Sequence, residues 1–495
     1  MLSGGNAPGA SKDPLAGSVA ANLNQLYRHR RLLTERDVAR AEAQGGQVRA
    51  GVRNGRLAVL AGSVTALVIA GLAGSSLGFL NKAACRAGAW NVGVEQYQAH
   101  CYTDIYPLYF GEGLWHGQIP YLDHPVEYPV LIGAAMQAAA WVVRPIADPE
   151  LRGREFFDVT VAGLVLCAIV GVLATAYLAG PARRWTALLV ALSPALILAS
   201  FINWDLIAMA LTTLAMAAWA GRRGVLAGVL FGLAIATKFY PIVLIAGLFP
   251  LCLRAGRLRD FWVTSASAAA AWLVVDVPVA VANFTGWARF YELNSTRGAD
   301  WGSIWYFFEV RRWPVLGTMG LGALNLVSLL LFVIAFALIA ALVLAAPRRP
   351  RVPQVFFLVL ASFLLVNKVW SPQYVIWLVP LVVLARPRLW SYLVWQVAEV
   401  GYFFAIWAYL ITQADPSAPG GIGGGLYFAA VLARFATVAL LCALVVKDIL
   451  RPGTDVVRMD GEDDPAGGVL AGAPDAVTFR RIARQPWEYP APAQS

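Results

Sequence analysis

Long apolar runs recur along most of this chain, and they restrict its possible folds more than any other feature. Uninterrupted apolar runs of about 18 or more residues predict transmembrane helices. The composition agrees, because 59% of the 495 residues are hydrophobic and only 14% are charged, whereas soluble domains carry about 25% charged residues. The sequence therefore predicts an all-α polytopic membrane protein and excludes a soluble multidomain one.

The apolar segments alternate with basic clusters, and together they set the expected topology. The segments lie at about 57–80, 126–146, 156–180, 185–202, 203–220, 224–237, 239–253, 261–282, 314–346, 353–367, 373–385, 389–411 and 425–446. We expect about 12 transmembrane helices, with the basic turns in the cytoplasm. Residue 125 is expected outside and the basic turn at 183 inside, so the chain between them should cross the membrane an odd number of times. Two apolar segments lie in that interval. Either one of them is re-entrant or one basic cluster breaks the rule.

Charge also divides the chain into regions. Residues 1–56 hold nine Lys/Arg and four acids, which predicts a cytoplasmic basic segment that lies against anionic lipid rather than nucleic acid. The first apolar run starts only near Leu57, so we expect a retained anchor and no cleavable signal peptide. A transmembrane domain is expected over 57–446. It includes a first loop (81–127), expected to carry short amphipathic helices, and a second loop (283–313), both outside. A disordered cytoplasmic tail over 447–495 is expected to follow.

Two short apolar hairpins carry a lysine at their tips, Lys238 and Lys368. Each arm is too short for a hydrocarbon core about 30 Å thick, so we expect the tips to lie below the surface, lining an outward-facing cavity. A cation there could bind a phosphate leaving group, although a lysine can also extend to the interface. Arg297 of the second loop could hold a phosphate bidentately, and Glu399 and Arg434 could pair inside the last two segments.

The first loop collects acids, aromatic residues and histidines just above the membrane. Asp104 is the candidate general base, because a carboxylate among aromatic residues beside a cavity can accept a proton from a hydroxyl group. A metal site at His100, His116 and His124 is an alternative, but their spacing matches no tight ligand motif. Cys85 and Cys101 share this loop, where a disulfide could persist.

These motifs, taken in order, resemble a known family. They are Asp104…Tyr109…Gly117-x-x-Pro120-Tyr121-x-Asp123…Glu127-Tyr128-Pro129, then Asn203-Trp-Asp205, Thr237-Lys238-x-Tyr240-Pro241, Arg297…Ser303-x-Trp305 and Ser371-Pro-Gln373-Tyr374. The pattern covers roughly residues 57–446 and resembles the GT-C superfamily. Within that superfamily it is most similar to glycosyltransferase family 87, the actinobacterial polyprenyl-phosphomannose-dependent α-mannosyltransferases.

The resemblance implies an inverting transfer of a sugar, with mannose expected, from a polyprenyl-phosphate donor to a glycolipid or glycan of the cell envelope. Asp104 would be the base, and the scheme requires no cofactor. Other residues of the pattern would bind substrate: Asp123, His124, Glu127, Tyr128, Asn203, Asp205, Lys238, Tyr240, Arg297, Ser303, Trp305, Lys368, Gln373 and Tyr374. The expected location is the plasma membrane of a bacterium, with both termini cytoplasmic and the active site facing the periplasm.

Three other functions remain open at this point. Relatives also transfer arabinofuranose, so a polyprenyl-phosphoarabinose-dependent enzyme is one alternative. A transporter or lipid flippase is another, although the second half of the chain contains no repeat of the first-loop motif. A non-catalytic scaffold of an envelope complex is the third, and it would have no need of cations at two hairpin tips.

Overall fold

The computed structural model describes residues 61–90, 93–459 and 463–479. The chain divides into a unit of residues 1–64 and a unit of residues 65–495, and the contacts discussed below belong to the second unit. The expected basic segment 1–56 lies outside the described residues. Within them the structure is helical with no β-strand, which confirms the predicted all-α polytopic class.

Six helices are long and apolar enough to cross a membrane. They are α1 (Ala61–Ala89), α5 (Pro149–Ala179), α11 (Leu258–Ala282), α14 (Leu321–Ala345), α17 (Leu389–Ala414) and α18 (Gly424–Leu450). Shorter apolar helices are α4 (Val130–Val143), α8 (Asp205–Ala220), α9 (Gly224–Ile235), α10 (Pro241–Ala255), α15 (Val352–Val366) and α16 (Val375–Ala385). The remaining helices are α2 (Glu95–Gln98), α3 (Ile105–Gly111), α6 (Leu188–Ala191), α7 (Pro194–Ala199), α12 (Phe284–Thr296), α13 (Ile304–Val310) and α19 (Val456–Met459).

The turns that the sequence predicts to face outside gather at one end of the helix bundle. Asp104, Asn203, Lys238 and Ser371 line a common cavity there, and we call this the site end. Arg254 and Arg351 lie at the opposite end, which we call the far end, where the chain after α18 packs against them. Two loops cover the site end: the first loop, which carries the predicted short helices as α2 and α3, and the second loop, which carries α12 and α13.

Helix α4 begins and ends at the site end, which resolves the crossing problem. At its start, the backbone N–H of Leu131 donates to the carbonyl of Ala236 beside Lys238, at 2.9 Å. Just beyond its end, Arg152 of α5 donates to the carbonyl of Trp115 in the first loop, at 3.1 Å. Helix α4 is therefore the re-entrant segment, and α5 crosses from the site end to the far end.

The segment expected as one apolar stretch over 185–202 is broken in the structure. It consists of a 3-10 turn (Arg184–Ala187) followed by α6 and α7. The break occurs because Ser193 caps a new helix that starts at Pro194, and a proline inside a helix would remove a backbone donor. Counting this broken stretch, twelve segments of the described chain run between the two ends, in agreement with the expected number.

Close packing of α9 on α11 depends on small residues. A Cβ atom at Gly228 or Gly232 would collide with the backbone of Thr264 or Ala268 on α11. Small residues of this kind let membrane helices approach closely where no hydrophobic effect drives their association. This contact holds α9 in place and so fixes Lys238 at the end of the helix.

The C-terminal region departs from the expectation of a disordered tail. After α18, residues 451–459 and 463–479 pack on the far end. Asp455 forms an ion pair with Arg351 at 2.8 Å, and Asp475 forms one with Arg254 at 2.6 Å. Leu470 is also buried, at 3% exposure. The two carboxylates pair with arginines at the ends of helices. The tail was predicted to be disordered because it lacks apolar periodicity, and periodicity carries no information about such ion pairs. Residues 480–495 lie outside the described residues.

Candidate functional site

A cavity of about 410 Å³ opens at the site end of the bundle. Its walls come from the first loop, the turns before α8 and α10, the second loop, the turn before α16, and α17. The lining residues are Tyr97, Tyr102, Asp104, Glu127, Tyr128, Asn203, Lys238, Phe290, Leu293, Asn294, Arg297, Asp300, Trp301, Ser371, Pro372, Gln373, Tyr374, Tyr402, Ile406, Trp407 and Leu410. Polar and charged groups therefore meet aromatic and aliphatic ones in one cavity.

Asp104 lies at the start of α3 and is fixed at both its backbone and its side chain. Its N–H donates to the carbonyl of Ile202 at 2.6 Å, and the Tyr128 hydroxyl donates to its Oδ2 at 2.8 Å. Burial raises the pKa of the carboxyl to about 6, while hydrogen bonds from Tyr128 and Tyr102 and the charge of Lys238 limit the rise. A carboxylate with this pKa is ionised at neutral pH and can still accept a proton, which suits a general base.

Lys238 does not stand alone in the cavity wall. Its ammonium lies 2.9 Å from Oδ1 of Asp205 and 4.7 Å from the centre of the Tyr128 ring. Asp205 is fully buried, and the indole N–H of Trp377 donates to its Oδ2 at 3.0 Å. A buried charge of this kind needs a partner, so Asp205 holds Lys238 in position at the edge of the cavity.

Arg297 and Asp300 form a second pair in the cavity wall, within the second loop. Arg297 Nη2 lies 3.1 Å from Asp300 Oδ1, and the Ser371 hydroxyl donates to Asp300 Oδ2 at 3.3 Å. Burial raises the pKa of Asp300, although Arg297 opposes the rise. The Arg297 side chain is 37% exposed and lines the cavity, so it remains accessible to a ligand.

Several residues named from the sequence lie away from the cavity. Lys368 donates to the carbonyls of Arg297 and Ser295, at 2.7 and 3.3 Å, and so supports the second loop from behind. Asp123 accepts the N–H of Ile119, and His124 lies 3.0 Å from Glu112. Others in this group pack inside the protein: Tyr240 against Thr212, Trp305 against the Val366 carbonyl, and Ser303 as the cap of α13.

Asp205 does not line the cavity either, because it lies behind Lys238 as its ion-pair partner. The other named residues do line the cavity: Glu127, Tyr128, Asn203, Lys238, Arg297, Gln373 and Tyr374, together with Asp104. The three first-loop histidines do not gather, because His100 packs on Phe404, His116 on Trp115, and His124 on Glu112. Among the described residues no group of three His, Cys, Asp or Glu is placed to hold a metal ion.

Sequence reasoning missed an aromatic wall and two charged residues. Tyr97, Tyr102 and Trp407 stack on one another, with ring centres 4.7–6.0 Å apart. Asp300 was not singled out either. Lys82 of α1 is fully buried near Asp104, and its Nζ has no hydrogen-bond partner among the described residues. Lys82 could have been found from the sequence, because a lysine inside an apolar helix usually has a function or a partner. The aromatic wall could not, because its stacked rings come from distant parts of the chain.

Two further contacts stabilise the first loop and the cavity floor. Cys85 at the end of α1 forms a disulfide with Cys101, 16 residues later and three residues before Asp104. Arg434 pairs with Glu399 at 2.9 Å, as expected, and donates to the carbonyls of Trp370 and Ser371. Both contacts fix backbone that carries lining residues.

The fold and the site together define a polytopic membrane protein with a polar, aromatic-lined cavity at one end of its helix bundle. Comparison with known families gives a more specific assignment. The sequence model of glycosyltransferase family 87 matches residues 121–372, about half of the chain. The chain belongs to glycosyltransferase family 87.

The matched region begins after Asp104 and ends at Pro372. It contains Lys238, Arg297 and Asp300, but not Asp104 or the α17 part of the aromatic wall. No curated protein matches this chain. Family membership supports a membrane glycosyltransferase that uses a sugar donor and an acceptor, and it leaves the transporter and scaffold alternatives without support.

Proposed function

We propose that this protein transfers a sugar, with mannose expected, from a polyprenyl-phosphate donor to a cell-envelope glycolipid or glycan, and that Asp104 is the general base. The observation that carries the proposal is the Asp104 carboxylate in the cavity wall, hydrogen-bonded to Tyr128 and with a pKa raised to about 6. The expected setting is the periplasmic face of a bacterial plasma membrane.

The proposed reaction is a single displacement. Asp104 accepts the proton of an acceptor hydroxyl, whose oxygen forms a bond to the anomeric carbon. The bond from that carbon to the donor phosphate oxygen breaks, and the lipid phosphate leaves with the electron pair. Arg297 and Lys238 are the lining cations that would stabilise this developing charge. The configuration at the anomeric carbon inverts, because attack and departure occur on opposite faces.

The other lining residues suit the remaining parts of the two substrates. Tyr97, Tyr102 and Trp407 present aromatic faces, on which sugar rings can stack. Phe290 and Leu293 of α12, with Ile406 and Leu410 of α17, supply an apolar edge. A prenyl chain needs such an edge to pass from the cavity into the bilayer. Lys368 is not part of this proposal as a direct phosphate ligand, because its ammonium is engaged with backbone carbonyls.

The test is sugar transfer by purified protein in lipid nanodiscs, with radiolabelled polyprenyl-phosphomannose as donor and envelope lipid extract as acceptor. We expect Asp104→Asn to lower turnover by about 10²–10⁴-fold, the usual contribution of a general base, while donor binding stays close to that of the wild type. Asp123→Asn is the matched control, since Asp123 belongs to the same loop but lies outside the cavity, and it should retain turnover.

Near-normal turnover in Asp104→Asn would show that Asp104 is not the base. Polyprenyl-phosphoarabinose is the second donor to be tried. Product formed only from that donor would replace mannose by arabinofuranose in the proposal. Absence of product from both donors would contradict the polyprenyl-phosphate donors proposed here.

A further inference from the structure

A second cavity, of about 230 Å³, lies at the site end and apart from the one that contains Asp104. It is formed by the first loop, the C-terminal part of α4 and the start of α5. Among its lining residues are Trp115, His116, Gln137, Trp141, Arg144 and Arg152. Its lining contains two arginines and no carboxylate, in contrast to the main cavity, where each lining cation is paired with an acid.

Neither arginine forms an ion pair within the part of the chain that the structure describes. Arg152 donates to the carbonyls of Ile146, Trp115 and Ala147, at 2.8–3.1 Å. These acceptors orient the guanidinium but are neutral. Arg144 follows the last residue of α4 and is exposed, and within the described residues it has neither an ion pair nor a side-chain hydrogen bond. The positive charges of these two guanidinium groups therefore favour the binding of an anion in this cavity.

A fixed tryptophan forms the rim of this cavity. Trp141 is 61% exposed. Gln137, beneath it, is buried. When its amide nitrogen donates to the carbonyl of Gln118, its amide oxygen accepts from the indole N–H of Trp141 at 2.8 Å. Val142 beside it is 64% exposed. An exposed apolar rim next to arginines is typical of the membrane–water interface, where tryptophan is enriched.

We propose that this cavity binds the phosphate head group of an anionic lipid at the membrane surface. Arg144 and Arg152 supply the charge-assisted hydrogen bonds, and Trp141 and Val142 contact the adjoining acyl region. The volume is smaller than the roughly 300–1,000 Å³ of pockets that enclose a drug-sized ligand, which suits a head group rather than a whole glycolipid.

The lipid can come from two sources with the same phosphate chemistry. One is a phospholipid of the surrounding bilayer, and the other is an acidic glycolipid acceptor. The second cavity lies at the C-terminal end of α4, while Tyr128, just before the N-terminal end, lines the main cavity. An acceptor held by its phosphate at one end of α4 could present its sugar at the other end.

The test is native mass spectrometry of the purified protein in detergent, after equilibration with phosphatidylglycerol or phosphatidylcholine. We expect the wild type to retain phosphatidylglycerol in preference to phosphatidylcholine. Arg144→Gln should lower that retention about fivefold, because one arginine near a membrane surface contributes about 1 kcal/mol to anionic lipid binding. Arg144→Lys should preserve most of it. Arg289→Gln is the matched control, since Arg289 lies in the second loop and is close to Glu292 instead.

Equal retention of phosphatidylglycerol by the wild type and Arg144→Gln would overturn the proposal, as would equal loss in Arg289→Gln. Transfer kinetics then separate the two sources. If the bound lipid is the acceptor, Arg144→Gln raises the KM for acceptor and leaves the KM for donor unchanged. If it is a bilayer lipid, neither KM changes although phosphatidylglycerol is lost. The binding measurement does not depend on turnover, so failure of the proposed transfer reaction would leave this test intact.

Discussion

At the scale of single residues, the two cations that line the main cavity are each held in an ion pair with an acid of the protein. Lys238 is bound to Asp205 and Arg297 to Asp300. Placing charges in a protein interior is costly unless they are paired and hydrogen-bonded. In the proposed reaction the donor phosphate would therefore compete with Asp300 for Arg297, and the exposed part of the Arg297 side chain is where that competition would begin.

The pH dependence of transfer should report on Asp104. The base must be ionised, so kcat/KM should rise with pH through about 6 and level off above it. The Tyr128 hydroxyl donates to the ionised carboxylate and so lowers the pKa of Asp104. Tyr128→Phe should raise that pKa and move the acidic limb of the kcat/KM profile to higher pH.

Tyr240→Phe is the comparison for this experiment, because Tyr240 lies outside the cavity and bonds to Thr212. Its acidic limb should coincide with that of the wild type. An unmoved limb in Tyr128→Phe, with turnover retained, would mean that the limb belongs to another group.

Single residues also show where sequence reasoning works and where it stops. Asn203 and Lys238 were identifiable because polar residues interrupt apolar segments there, and both line the cavity. Lys368 had the same signal, but its ammonium turns to backbone carbonyls instead, a choice that local sequence does not encode. Asp300 carries no comparable signal in the sequence, and its contact with Ser371 shows that it belongs to the site.

At the scale of elements, the most informative feature is the attachment of the first loop to α1. The disulfide Cys85–Cys101 closes a loop of 16 residues directly before Asp104. Cross-linking a loop of that length restricts the unfolded chain and stabilises the fold by about 3 kcal/mol. The same bond anchors the backbone that carries the proposed base.

Removing this disulfide should therefore affect both stability and transfer. We expect the double variant Cys85→Ser/Cys101→Ser to unfold at a lower temperature than the wild type and to transfer sugar more slowly. Treatment of the wild type with a reductant should reproduce both effects. The measurements are thermal unfolding in detergent and the nanodisc transfer assay.

Cys167→Ala is the control, because Cys167 is a half-buried free cysteine of α5. It should match the wild type in both measurements, with and without reductant. If the double variant had the thermal stability and rate of the wild type, the anchoring role of the disulfide would be refuted.

Hydropathy located nearly all of the elements but could not describe how they lie. The segment 126–146 reads as an ordinary apolar helix, and its re-entrant course depends on contacts of Leu131 with Ala236 and of Arg152 with Trp115. The segment 185–202 contained a visible signal for a break, Ser193-Pro194, which its uniformly apolar character obscured. Composition thus fixes which segments enter the membrane, whereas tertiary contacts determine their paths.

At the scale of the whole molecule, the far end is closed by the segment after α18. The ion pair of Arg351 with Asp455 is a deeply buried contact between this segment and the helix bundle, with both side chains 2% exposed. Two bonds join the pair, from Nε to Oδ2 at 2.8 Å and from Nη2 to Oδ1 at 3.1 Å. The tail was expected to be disordered because its sequence is polar, but its acids neutralise arginines that the helical turns leave at this end.

Breaking this link should destabilise the protein without altering the reaction. Asp455→Asn leaves the Arg351 charge buried and unpaired, which costs about 3–5 kcal/mol in comparable cases. We expect a clearly lower unfolding temperature, with KM values for donor and acceptor unchanged at a temperature where the protein stays folded.

Glu292→Gln provides the contrast, since its pair with Arg289 is on the surface, with the two side chains 65% and 44% exposed. Surface pairs contribute about 0–1 kcal/mol, so its unfolding temperature should stay close to that of the wild type. Equal stability of the two variants would refute a structural role for the buried pair.

The aromatic wall of the cavity also determines when, during synthesis, the site can exist. Tyr97 and Tyr102 stack on Trp407, and Gln98 beside them donates to the carbonyl of Pro419, 321 residues later in the chain. At about 5–20 residues per second, the ribosome needs on the order of 15–60 s to supply the second half of this wall after the first. A nascent or truncated chain therefore has the proposed base but no closed cavity around it, and we expect only the nearly complete protein to bind a sugar there.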